Sequence, residues 1–247
     1  MARSDWKESP EQKRQRALDI CERLAAAYPE SRCALCWETP FQLLIATVLS
    51  AQTNDQAVNR VTRELFRQFP DARAMAAAPE GAIEACINSI GLWRNKAKFL
   101  RGISRILVEK YNGEVPKDLD ALMELPGVAR KTATAVLGTA FGIAAGITVD
   151  THMMRINRLL HLSDATSPDK MARDLEALLP RDQWNIYTHR IIDHGRLVCV
   201  ARRPRCGVCP LAECCPSACD PDVGYDPRND EREPASAKGL SWLQKCD

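Results

Sequence analysis

Apolar residues recur along most of the chain at three- and four-residue spacing, and no run alternates as a half-buried strand would. Ala17, Ile20, Cys21, Leu24 and Ala27 predict a first helix over about 11–28. Thr39-Pro40-Phe41-Gln42 reads as an N-cap, a proline at the first helical position and a capping-box glutamine. The helix it opens, through Leu43, Leu44, Ile45, Val48 and Leu49, is apolar on most sides and is expected to be buried. Thr53-Asn54-Asp55-Gln56 repeats the capping pattern and starts a helix ending near Phe69-Pro70. A sharp bend therefore falls at Ser50-Ala51-Gln52, where polar side chains are placed to project outward.

Short helices are predicted over 71–77 and 80–88, then a turn at Gly91-Leu92-Trp93 and a helix from Asn95 to Tyr111 that Asn112-Gly113 stops. A short helix through Leu119, Leu122 and Met123 runs into Leu125-Pro126-Gly127-Val128-Ala129, and an alanine- and threonine-rich helix follows from about Arg130 to Phe141. Asp150 caps a helix through Met153, Ile156 and Leu160. Ser167-Pro168 opens one that ends at Leu179-Pro180, and another covers Gln183 to Cys199, with Gly195 expected to weaken its last turn. Val115, Ile147 and Val149 sit in short connectors, so the fold class is all-α, with no internal repeat.

Composition narrows this further. The chain has 247 residues, 45% hydrophobic and 27% charged, which suits a folded globular protein of one large or two modest domains. No apolar run reaches the roughly 18 residues of a membrane span, and the N-terminus lacks the apolar core of a secretory signal, so an intracellular location and no membrane partner are expected. Residues 220–247 hold seven acids against four bases, leaving 30 bases against 25 acids in residues 1–219. A mildly basic body suits a polyanionic ligand, although solvated helix faces produce the same imbalance. The Asp-, Pro-, Gly- and Glu-rich stretch from 220 to 247 reads as a flexible tail.

Two segments carry specific chemistry. In the first, Pro126 ends one helix, and Gly127 permits a backbone geometry that a side chain would obstruct. The amides of Gly127, Val128, Ala129, Arg130 and Lys131 are then expected to lie unpaired at a helix start, where they would bind phosphate without reading a base. Lys131 stands out, because cations favour the other end of a helix. The positive potential there favours the neutral amine that attack on a sugar C1′ requires. Nineteen residues on, Asp150 offers a carboxylate at a helix start, where capping alone would explain its identity and would also fix its position for catalysis.

The second segment packs six of the eleven cysteines into residues 199–219. In a reducing compartment such crowding points to metal rather than disulfides. Cys199, Cys206, Cys209 and Cys215 have the spacing C-x6-C-x2-C-x5-C, which spacing alone leaves open between an iron–sulfur cluster and zinc. Arg202, Arg203 and Arg205 lie between the first two of these cysteines, as a phosphate clamp or as a solvated basic loop. His161, His189 and His194 share no ligand spacing and read as structural.

Residues 125–133, Asp150 and the cysteine spacing resemble the endonuclease III family of helix–hairpin–helix DNA glycosylases, a likeness that covers about Glu11 to Cys219. The resemblance implies that Lys131 attacks C1′ of a damaged nucleotide, that Asp150 assists departure of the base, and that the four spaced cysteines hold a [4Fe–4S] cluster. It implies a bifunctional glycosylase and AP lyase acting as a monomer on double-stranded DNA that contains a damaged base, expected to be an oxidised pyrimidine, or an abasic site. It also implies a six-helix barrel domain near 33–145 carrying the hairpin, and an iron–sulfur domain of 1–32 with 146–219. The two would flank a DNA-binding groove. By their flanking residues Gln52 and Leu92 match the two positions that insert into DNA, although Leu92 also reads as a buried loop anchor. His152 is a candidate pocket residue. Ala129 departs from the glycine common in the family; it still donates its amide, in a less adaptable turn. The rival readings are a monofunctional (mismatch) DNA glycosylase and a non-catalytic DNA-binding protein with a zinc site.

Overall fold

The computed structural model describes residues 6–232, and among these the regular structure is helical, with no strand. The described residues form two compact units, one of residues 6–32 with 146–232, the other of residues 33–145. Among them no helix is long and apolar enough to cross a membrane.

Helix α1 (Pro10–Ala27) belongs to the first unit. Its start is a full capping box: the Ser9 hydroxyl accepts from the Gln12 amide, and the Gln12 side chain accepts from the Ser9 amide at 2.8 Å. Ala17, Ile20, Cys21 and Leu24 form its buried stripe, as their spacing predicts. Arg16 is buried beside that stripe. It donates to the Leu160 and Cys214 carbonyls at 2.7 and 3.2 Å and pairs with Glu8 at 2.6 Å, tying the helix to distant parts of its unit.

The next seven helices build the other unit: α2 (Pro40–Leu49), α3 (Asp55–Gln68), α4 (Ala72–Ala76), α5 (Ala82–Ile87), α6 (Trp93–Tyr111), α7 (Leu119–Met123) and α8 (Arg130–Phe141). Helix α2 is buried on nearly every side, with Leu44, Ile45 and Leu49 fully enclosed, each contributing about 1.5–3 kcal/mol of hydrophobic stabilisation. It packs against α8, while α6 covers α4 and α5. Two caps differ by one residue from their expected form. Gln42 reaches back to the Glu38 amide rather than to that of the N-cap Thr39, and α3 is capped by Asn54 rather than Thr53.

The chain then returns to the first unit with α9 (Thr151–Leu159), α10 (Pro168–Leu178) and α11 (Trp184–Leu197). Gly195, expected to weaken the end of α11, instead permits a close crossing. A Cβ there would lie 2.6 Å from His152 Nδ1 and 2.9 Å from Ile156 Cδ1, both on α9. Of the segment 220–247, expected to be a flexible tail, only residues 220–232 are described, and they are folded. Residues 220–232 fold into two short 3₁₀ turns whose buried Asn229 donates to the Pro204 carbonyl, while Asp230 accepts from the Gly207 amide. Composition suggests mobility here, but these side chains find partners in the cysteine segment. The rest of the expected tail, 233–247, lies outside the described residues.

Candidate active site and cysteine recess

The hairpin is assembled from α7, α8 and the turn between them. Leu125 and Val128 are buried and anchor the turn. The Val128 amide donates to the Leu125 carbonyl at 3.1 Å, so this amide, expected to be free for phosphate, is used within the turn. Gly127 has φ +76°, and a Cβ on it would lie 2.6 Å from the Phe99 ring. Glycine is needed there for both reasons. Ala129 is the N-cap of α8 and has no side chain to offer the first-turn amides, so those of Arg130 and Lys131 are left for a ligand. The Lys131 side chain is exposed on this turn.

Gly127→Ala is expected to destabilise the protein by about 1–3 kcal/mol, from the left-handed backbone and the ring contact together. Chemical denaturation measures this. Gly91→Ala, where a Cβ would meet nothing within 4 Å, serves as the control. An equal loss in both variants would sink the account of the turn.

In the same unit Gln52 and Leu92 are both exposed and both left-handed, with φ of +55° and +59°. Leu92 is 58% exposed, which removes the reading of a buried loop anchor. It also serves as the N-cap of α6, which therefore begins at Trp93, two residues earlier than its periodicity suggests.

Asp150 lies in the unit of residues 6–32 and 146–232. Its Oδ1 accepts from the Met153 amide at 2.8 Å, which holds the half-buried carboxylate at the start of α9. His152 is beside it, with Nδ1 buried and unbonded among the described residues. Burial lowers the His152 pKa, the Asp150 charge raises it, and Arg155 and Arg196 lower it further. Thr151, His152, Arg155, Gly195, Arg196, Val200 and Ala201 line an open recess of about 500 Å³.

Cys199, Cys206, Cys209 and Cys215 all border a second, apolar recess, walled also by Ile156, Leu160, His194, Leu211 and Val223. Cys214 does not line it; its thiol donates to the Leu211 carbonyl at 3.3 Å. The short 3₁₀ turn at Ala212–Cys214 thus sends two adjacent cysteines to different surroundings. Donors are directed at the sulfurs: the Leu211 amide to Cys209 at 3.4 Å, Arg155 to Cys199 at 3.5 Å, and the backbone amides of Ser217 and Cys219 to Cys215 and Cys206. Burial pushes the thiols of Cys209 and Cys215 up to about 12 and that of Cys206 to about 11, so thiolates there require a cationic partner. No three His, Cys, Asp or Glu side chains among the described residues are drawn together around a single-ion site.

His194, read from sequence as structural, is at this recess. Its Nε2 is 3.7 Å from Cys209 Sγ, and its Nδ1 is 2.9 Å from the Tyr28 hydroxyl. Burial lowers its pKa to about 4, leaving a neutral ring. A Tyr28 O–H donating to Nδ1 would put the ring proton on Nε2, toward the sulfur. Arg155, which the sequence gives no reason to single out, also holds the Cys199 carbonyl at 2.6 Å. Of the three loop arginines, Arg202 and Arg203 are exposed, whereas Arg205 is half-buried and donates to the Asp230 carbonyl at 2.9 Å.

A family model described as HhH-GPD superfamily base excision DNA repair protein matches residues 45–181. By fold and hairpin, then, this is a helix–hairpin–helix base excision repair protein. An endonuclease III from Synechocystis sp. is 51% identical over 206 residues, 83% of this chain and 94% of the relative. A solved structure of a non-covalent endonuclease III–DNA complex superposes with a TM-score of 0.75 at 43% identity, covering 82% of this chain and 94% of that one. A trapped endonuclease III–DNA covalent intermediate gives 0.75 at 42% identity, covering 82% and 95%. The chain belongs to the endonuclease III family, the DNA glycosylases with AP lyase activity that act in base excision repair.

Proposed function

We propose that Lys131 is the nucleophile and Asp150 its acid–base partner, on a damaged, oxidised pyrimidine flipped out of double-stranded DNA. Its neutral amine attacks C1′, and the C1′–N bond breaks with its electron pair leaving on the base. Asp150 assists that departure and the opening of the sugar ring, which leaves a Schiff base between Lys131 Nζ and C1′. Loss of a C2′ proton then expels the 3′ phosphate by β-elimination. The exposed Lys131, on the uncapped first turn of α8, carries this reading. Open amides bind the phosphate backbone there while the amine faces the sugar.

In this reading residues 33–145 carry the hairpin to the DNA, and residues 1–32 with 146–219 form the iron–sulfur domain. Arg130, Arg202 and Arg203 meet phosphates, and Gln52 and Leu92 fill the space the extruded nucleotide leaves. Arg205 ties the loop to the Asp230 carbonyl. His152 lines the pocket beside Asp150. Cys199, Cys206, Cys209 and Cys215 hold a [4Fe–4S] cluster. The residues fit such a group, since four thiols border one recess, N–H donors reach each sulfur, and burial makes free thiolates unfavourable. When bound, the cluster supplies a cationic centre that fixes residues 199–215 in one arrangement.

Borohydride reduction of the protein with an oxidised-pyrimidine duplex tests this directly. A covalent protein–DNA adduct is expected, from a brown protein containing iron and sulfide. Base release without an adduct would instead select a monofunctional glycosylase, and a colourless protein with stoichiometric zinc would remove the cluster assignment.

A further inference from the structure

Lys96 is 4% exposed, although it lies on the first turn of a surface-bounded helix, α6. Its ammonium donates to the Leu49 carbonyl at 2.8 Å and to the Thr53 hydroxyl at 2.7 Å. Leu49 is the last residue of α2, so the charge sits at a helix C-terminus, where free carbonyls and the macrodipole favour a cation. Thr53 closes the bend at its far end, its amide donating to the Ser50 carbonyl at 3.0 Å. Gln52 lies within that bend in a left-handed conformation that persists only where its surroundings hold it.

The other end of Lys96 is equally committed. Its backbone amide donates to the carbonyl of Leu92 at 3.0 Å, closing the turn that presents that side chain. One residue therefore bonds to the bend under Gln52 through its side chain, and to Leu92 through its backbone. Burying an ammonium is costly, and burial lowers the Lys96 pKa. An apolar side chain of the same length would fill the space without that cost, so what the ammonium adds is two directed hydrogen bonds.

We infer that Lys96 is a positioning residue that locks the Gln52 bend to the Leu92 turn, so that both side chains enter the duplex in one geometry. This rests on the proposed roles of Gln52 and Leu92. The lock matters only when a nucleotide must be extruded from paired DNA, because a single-stranded abasic site offers no stack to fill.

The test uses the full-length, cluster-containing protein as Lys96→Met and as Thr53→Val. The probes are an abasic site in a duplex and the same site in the single strand. Lys96→Met is expected to lower kcat on the duplex by about 10²-fold, the scale of a misplaced catalytic constellation, while single-strand cutting is retained. Thr53→Val gives a smaller defect of the same kind, and adding it to Lys96→Met produces less than the product of the two. The rise of 2-aminopurine fluorescence beside the lesion slows in parallel. Equal losses on both probes, or none on the duplex, overturn the inference. Hydrogen exchange of the 50–54 amides without DNA separates the lock from the functional reading: faster exchange in Lys96→Met is required by the lock, and unchanged exchange refutes it. If wild type cuts neither probe, the proposed function fails independently of this result. If Lys96→Met does not fold, Thr53→Val gives the same readouts.

Discussion

Lys131→Gln is expected to lower strand cutting at an abasic site on the order of 10⁴-fold or more, the scale seen when a covalent nucleophile is removed. Borohydride trapping should disappear with it. The substitution is conservative in every other respect. Residue 131 is exposed on the first turn of α8, its amide remains, and Gln is nearly as good a helix former as Lys. Affinity for a duplex with an uncleavable abasic analogue should fall only by what one charge near the phosphates contributes, and the slope of log affinity against log salt should change by about one unit at most. Trapping that persists in Lys131→Gln would mean another amine is the nucleophile, and the hairpin would then be only a phosphate clamp. A loss of analogue binding as large as the loss of cutting would make Lys131 a binding residue.

The fold was legible in the sequence to the extent that it depends on periodicity. The helical pattern and the Pro–Gly punctuation place the helices within a residue or two of their ends, because a helix ends where its caps and breakers are. What the sequence obscured was decided by tertiary partners. Thr53 and Asn54 are both good caps; Asn54 takes α3, while the Thr53 hydroxyl accepts from Lys96. Lys96 itself looks like any lysine of a solvated face, and only the packing of α6 beside the end of α2 reveals a buried ion. Gly195 reads as a weak helix residue until α9 is seen to cross it. Cys214 and Cys215 are equivalent by composition and adjacent in sequence, and a single 3₁₀ turn separates them. Residues 220–232 have the composition of a mobile tail, yet Asn229 and Asp230 bond to the segment carrying the spaced cysteines, contacts that no local pattern signals.

Asp150→Asn should separate capping from chemistry, since Asn caps a helix as well as Asp. The amide oxygen can keep the 2.8 Å bond from the Met153 amide, so α9 and the overall stability should be almost unchanged. What is lost is the negative charge and the capacity to hold a proton. Release of a damaged pyrimidine is therefore expected to slow by about 10²–10⁴-fold, the range for a general acid or base. Cutting at a preformed abasic site should fall less, because no base has to leave. Asp150→Ala removes the cap as well, and should add about 1 kcal/mol of destabilisation to the same loss of activity. The neighbouring imidazole reports the charge independently. Asp150 is the group that raises the His152 pKa, against burial, Arg155 and Arg196, which all lower it. In Asp150→Asn only the lowering influences remain, so His152 should titrate at a lower pH than in the wild type, as read from its ring resonances. An unshifted His152 together with full base-release activity would mean that the Asp150 carboxylate does nothing beyond starting its helix.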